Sequence, residues 1–203
     1  IGSFVVSTVA DALALEDGKW GMIKGVVTDR FANQTYGFQD GTGSIAINTP
    51  TNLVLGQEYT LIGEKDTSNG LHQFKNIEIE GTPTTATMPT AFAIDAILGD
   101  KDELAKHIAG LISIEGAEVT EVGEPDKYDN VNVKIKKGEV VLEVRYDSRV
   151  DDKASTTVLT ALKVGDIVNY VGNLGWYNNP QLGYGPNTHL GEGWPQSSEP
   201  VVG

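Results

Sequence analysis

The chain has 203 residues, no cysteine, and 15 basic against 28 acidic residues, a formal net charge of −13. That length suits one large domain or two small ones, and 39% hydrophobic with 7% aromatic residues supplies a core and argues against disorder. No stretch approaches the roughly eighteen apolar residues of a membrane-spanning helix, and a field of this sign repels nucleic acid at long range unless a local basic patch offsets it.

Helical periodicity is scarce. Ser7–Leu15 places Val9, Ala10, Leu13 and Ala14 at helical spacing, and Thr8 with Asp11 forms a capping-box pattern. Short strands follow at Met22–Asp29, Thr35–Gln39, Ser44–Asn48, Glu58–Gly63 and His72–Glu80, the last two joined by Ser68-Asn69-Gly70, a tight-hairpin signal. Gly81–Thr90 holds Pro83, Pro89 and five threonines and reads as an extended linker. Asp100 with Glu103 opens a second helix running to about Ile108. Strands resume at Leu111–Glu121, Asn130–Lys136, Glu139–Tyr146, Asp166–Gly172 and Gln181–Tyr184, with a third helix over Ser155–Leu162.

The second half repeats the first. Lys24–Asp29 matches Glu115–Thr120 loosely, Gly43 precedes Ile45 and Ile47 as Gly138 precedes Val140 and Leu142, and Leu55-Gly56 with Gly63 matches Val164-Gly165 with Gly172. Five strands with a helix between the third and fourth define the OB-fold, a Greek-key barrel. The expected class is therefore all-β with short helices, as two tandem five-stranded OB-fold Greek-key barrels. Residues 1–81 form the first barrel with its N-terminal helix, 82–90 the Thr/Pro linker, and 91–203 the second barrel with an aromatic-rich C-terminal segment. Thr49–Leu53 is too short for a helix, so the first barrel departs from the usual arrangement there.

Four segments (Thr8–Leu13, Ile23–Thr28, Phe38–Ile47 and Leu55–Gly63) together resemble the OB-fold domains of secreted bacterial proteins and surface lipoproteins. The resemblance covers residues 8–80 directly and 91–190 through the internal repeat. It implies a non-catalytic binding module, with nucleic acid as the ligand usually proposed. The absence of cysteine fits an extracellular or cell-surface bacterial protein, and a chain beginning at Ile1 is expected to have lost a signal segment.

An OB-fold commonly binds on the outer face of its second and third strands and in the adjoining loops. In the first barrel, strand alternation buries Tyr36, Phe38, Ile45 and Ile47 and leaves Gly37, Gln39, Ala46 and Asn48 facing out. That face has neither rings nor charge, and it suits packing on another domain in a fixed arrangement. In the second barrel Asn132, Lys134, Lys136, Glu143 and Arg145 share the outer face, either as a phosphate-contacting patch or as a cross-strand ladder of opposite charges. The segment from Trp176 to Trp194 is the densest in aromatic residues. Trp176, Tyr177, Tyr184 and Trp194, with asparagines and Gln181 nearby, suit stacking on bases or sugar rings; the alternative is a segment that wraps back onto its own barrel.

Catalytic signatures are missing: there is no Gly-x-Ser-x-Gly, and His72, His107 and His189 lack zinc-ligand spacing. The acidic groups at Glu124/Asp126/Asp129 and Asp147/Asp151/Asp152 lack EF-hand spacing and read as solvated loops. The expectation is a non-enzymatic binding or adaptor protein without cofactor or metal. Its ligand is single-stranded nucleic acid or another oligomer, at Asn132, Lys134, Lys136, Arg145, Trp176, Tyr177, Tyr184 and Trp194. The alternatives are an oligosaccharide- or protein-binding surface module using the Trp176–Trp194 segment and the cleft between barrels, and a structural spacer. The two halves, residues 1–88 and 89–203, carry −5 and −8, so neither is a concealed cationic module.

Overall fold

The computed structural model describes residues 4–150 and 153–195. After a short strand β1 (Val6–Ser7), helix α1 (Val9–Leu13) starts on the expected box. The Thr8 hydroxyl accepts from the Asp11 amide at 3.1 Å, and the Asp11 carboxylate accepts from the Thr8 amide at 3.3 Å. The Val9 and Ala10 amides donate to Asp40 and Thr42, so the turn between the second and third barrel strands holds the start of the helix.

The first sheet consists of β1, β2 (Trp20–Ala32), β3 (Thr35–Gln39), β4 (Ser44–Asn48), β5 (Gln57–Ser68) and β6 (Leu71–Thr85). Its order is β1-β2-β3-β4-β6-β5, and β5 pairs back on β2, so five strands close into a barrel; β4 and β6 run parallel and the other barrel pairs antiparallel. The second sheet contains β7 (Phe92–Ala93), β8 (Leu111–Val122), β9 (Val131–Lys137), β10 (Val140–Tyr146), β11 (Ile167–Trp176), β12 (Pro180–Gly183) and β13 (His189–Gly191). It closes the same way, in the ring β8-β9-β10-β12-β11, with β10 and β12 parallel. Both rings have the OB-fold strand order. Helix α2 (Lys101–Ala105) precedes β8 and is capped by Asp100, and α3 (Lys153–Thr160) lies between β10 and β11; no helix joins β4 to β5.

Strand alternation fills each barrel with its own apolar residues. Ile23, Val27, Tyr36, Phe38, Ile45, Ile47, Leu61 and Phe74 lie in the first core; Val119, Val133, Val144, Tyr146, Tyr170, Leu174 and Leu182 lie in the second, with Leu159 of α3 packed among them. Fully burying one such side chain contributes about 1.5–3 kcal/mol.

Several strands run past their expected ends. β2 continues to Ala32, β5 to Ser68 and β11 to Trp176, and residues 82–85 of the expected linker continue β6. The β5–β6 hairpin extends because its tip has something to rest on. Asn69 (φ 52°) and Gly70 (φ 87°) make the two-residue turn between paired Ser68 and Leu71, and Gly70 lies against the Trp176 indole where any Cβ would collide.

The plain outer face of β3–β4 is where the two barrels meet. Ala46, Ile108, Ala109 and Phe31 form a small shared core with Leu71 and Trp176 packed against it. Buried Asn173 donates to the Thr28 hydroxyl at 2.9 Å and the Ala109 carbonyl at 3.0 Å, Ser44 donates to the Ile108 carbonyl at 2.9 Å, and Gln39 accepts from the Leu111 amide at 3.0 Å. Buried Asp29 accepts from Asn187 and Thr188 at 3.1 and 2.8 Å. A Cβ at Gly37 would strike the Asn173 amide, the Thr28 hydroxyl and the Ala109 carbonyl, so this contact requires glycine.

Candidate binding cleft between the barrels

Beside that contact the two barrels leave a cleft of about 590 Å³. Its first-barrel wall includes Phe31, Asn33 and Thr35 around the β2–β3 turn, and Ser68, Asn69 and Leu71 around the β5–β6 turn. Its second-barrel wall includes Arg145 of β10, Asp147 and Arg149 just after it, Gln181 of β12, and Trp176 and Tyr177 at the β11–β12 turn. In OB-fold terms the first barrel contributes the loops after its first and fourth strands. The second contributes the outer side of its third strand and the loop after its fourth. These are the elements with which OB-folds commonly hold oligomers, and the packing aims them at one space.

The β11–β12 turn is braced from both sides. The Asn178 amide donates to the Asn69 carbonyl at 2.6 Å, Tyr177 donates its amide to Asn179, and the Lys101 ammonium donates to the Asn178 carbonyl and the Asn179 side chain at 3.0 and 2.9 Å. Lys101 also lies 5.9 Å from the Trp176 ring centre, within cation–π range. Trp176 is half-buried as part of the wall, and Tyr177, 63% exposed, stands free at the rim.

Arg145, Asp147 and Arg149 are the only charged lining residues among the described residues, which gives the lining a positive balance in a chain of −13. Arg149 is held bidentately by Asp147, Nε to Oδ1 at 2.9 Å and Nη2 to Oδ2 at 2.7 Å, while most of the Arg149 side chain remains in solvent. Burial of Asp147 works to raise its pKa. The hydrogen bonds and charge of Arg149, with Arg145 nearby, outweigh this and hold the carboxyl below its ordinary value. Arg145 donates to the Asn132 side chain at 3.2 Å.

The expected site residues divide into three sets. Arg145, Trp176 and Tyr177 come together in the cleft. Asn132, Lys134 and Lys136 lie on the outer face leading away from it, with register pairs Asn132–Arg145, Lys134–Glu143 and Lys136–Val141 spaced over about 13 Å of strand. This face combines patch and ladder: Lys134 meets Glu121 at 3.8 Å, and Glu143 is occupied by Gln181 at 2.8 Å. Tyr184 and Trp194 are outside the cleft lining. Tyr184 is a correction to the expected site, because it follows directly on β12 and lies in the second core with Leu182, 5% exposed, where its ring is not open to stacking. Trp194 is half-exposed beyond β13.

Arg149, Asn33, Ser68 and Asn69 were not anticipated as site residues. The signal for Asn33 and Asn69 lay in the strand order, since both stand in first-barrel loops equivalent to those that OB-folds use. Of the two acidic groups, Asp126 accepts from the Tyr128 and Asn130 amides of its own loop and Asp147 is taken by Arg149, while Asp151 and Asp152 lie outside the described residues. No group of three or more His, Asp or Glu poised for a metal occurs among the described residues.

No protein-family model matches this sequence, and no curated protein matches it. Among solved structures the chain is similar to the hypothetical protein ygiW from E. coli, at 22% identity over 38% of this chain and 92% of that one, with a TM-score of 0.34. It is similar to the p204 HINb domain at 11% identity, over 87% and 99% of the two chains, with a TM-score of 0.40. A murine DNA binding protein bound with ds DNA matches at 11% identity over 86% and 98%, with a TM-score of 0.34. At such values the OB-fold of this chain rests on its own strand order and pairings, and no function is carried across from these proteins.

Proposed function

We propose that this protein is a non-catalytic binding protein for single-stranded nucleic acid, which runs along the outer face of β9–β10 and enters the cleft between the barrels. The observation that carries the reading is the pairing of a free aromatic ring, Tyr177, with the Arg145 and Arg149 guanidiniums at the mouth of one cleft. Single-strand binders combine such stacking platforms with a cationic track for phosphates. Lys136, Lys134 and Arg145 supply that track, and the local positive balance favours a polyanion over a neutral sugar.

Fluorescence anisotropy of a labelled mixed-sequence single-stranded DNA, at low salt and again at 200 mM salt, tests the proposal. Micromolar binding that weakens steeply with salt is expected. No binding at low salt, where attraction is strongest, would remove nucleic acid as the ligand and leave glycans or surface proteins as candidates.

A further inference from the structure

The cleft differs from the open face beside it in size and in the groups it presents. At about 590 Å³ it lies within the roughly 300–1,000 Å³ of small-ligand pockets, a size that suits a short piece of a strand rather than a long run of bases. Its first-barrel wall carries amides and a hydroxyl rather than charge. The Asn33 carbonyl accepts from Thr35 at 2.7 Å and the Asn69 carbonyl accepts from Asn178 at 2.6 Å, so the backbones of both turns are fixed. Their side-chain amides and the Ser68 hydroxyl enter no hydrogen bond among the described residues, although all three line the cleft. The opposite wall carries Trp176, Tyr177, Arg145 and Arg149.

We infer that the cleft holds one base of the bound strand, stacked against Tyr177, and that the first barrel reads the edge of that base through Asn33 and Asn69. The inference rests on the nucleic-acid reading above and adds a division of labour: the second barrel supplies affinity, the first supplies base preference. A carboxamide offers one donor and one acceptor side by side, the complement of a base edge, as in the bidentate pairing of Asn with adenine. Two such amides on rigid turns discriminate where mobile ones would adapt. Asn69 is held at φ 52° by a two-residue turn and braced by Asn178, and Asn33 adjoins Gln34 at φ 51°.

The test compares dA, dC and dT 12-mers by anisotropy, on the wild-type chain and on Asn33→Ala/Asn69→Gly, with a thermal midpoint for each protein. Glycine at 69 keeps the left-handed turn while removing the amide. The expected result is a preference of about fivefold or more for one homopolymer in the wild type, reduced to near parity in the variant with its salt dependence unchanged. Equal, salt-sensitive binding of all three by the wild type would overturn the inference while leaving the nucleic-acid reading standing, and this arm does not depend on the variant folding. A preference retained in a folded variant would also overturn it. Binding of none of the three would overturn both.

Discussion

Two faces of this molecule occupy the same place in the same fold and have opposite surroundings. The outer side of β3–β4 presents Gly37, Gln39, Ala46 and Asn48; the outer side of β9–β10 presents Asn132, Lys134, Lys136, Glu143 and Arg145. The first has no charged side chain, its Gln39 amide finds a partner in Leu111, and the second barrel covers it, close enough for Asn173 to reach Thr28 across a bare glycine. The second is built of long charged side chains that lose too much hydration to be covered, so it stays open and ends at the cleft. Within one strand order, outward-facing residue size and charge decide whether an OB-fold face becomes a joint or stays open to solvent. The cleft follows from that asymmetry, because the joint brings the loops of the first barrel over the open face of the second.

The joint between the barrels is most sensitive at Gly37. Gly37→Leu drives a side chain into the Asn173 amide. The expected loss is about 3 kcal/mol or more, combining overpacking with two displaced hydrogen bonds. Urea unfolding measures it, with Lys134→Ala on the matching open face changing stability by no more than about 0.5 kcal/mol. A Gly37→Leu protein as stable as the wild type would mean the joint is not close-packed.

On the open side the larger effect belongs to the ring. Tyr177→Ala removes an exposed side chain, so the unfolding midpoint holds while DNA affinity falls, by about 1–3 kcal/mol if one base is stacked there. Arg145→Ala acts differently, lowering the slope of log affinity against log salt by about 0.7, the share of one phosphate on a single strand. Trp194→Ala, away from the cleft, leaves both quantities unchanged.

The smallest effect concerns pH. The Asp147 carboxyl titrates below its ordinary value in the folded protein, so its contribution to stability is complete above the unfolded value of about 3.9 and is lost as pH falls through the folded one. Thermal midpoints of the wild type and Asp147→Asn therefore differ most near neutral pH and converge as pH falls through the lowered folded value. A difference that widens on acidification would contradict the assigned pairing.

Much of this arrangement was legible in the residues. Alternation of Tyr36, Phe38, Ile45 and Ile47 told core from surface, the Thr8–Asp11 box and the Asp100 cap located two helices, and the blankness of Gly37 and Ala46 pointed to a packing face. The β1, β7 and β13 strands were not legible, because two or three residues have no period to detect. The cleft was harder for another reason: Asn33 and Arg149 are 116 positions apart in sequence, and nothing local to either says that the joint brings them together. Tyr184, a tyrosine in a Gly- and Asn-rich segment, resembles a loop ring in the sequence, whereas the chain leaving β12 places it in the second core.

The most direct test of the central claim, that the cleft between the barrels is the binding site, is a chemical-shift titration of the isotope-labelled protein with a short single-stranded DNA. The account predicts perturbations at Asn33, Ser68 and Asn69 in the first barrel and at Arg145, Trp176 and Tyr177 in the second, tailing off along Asn132, Lys134 and Lys136. Perturbations confined to one barrel away from the cleft, or centred on Trp194, would contradict it.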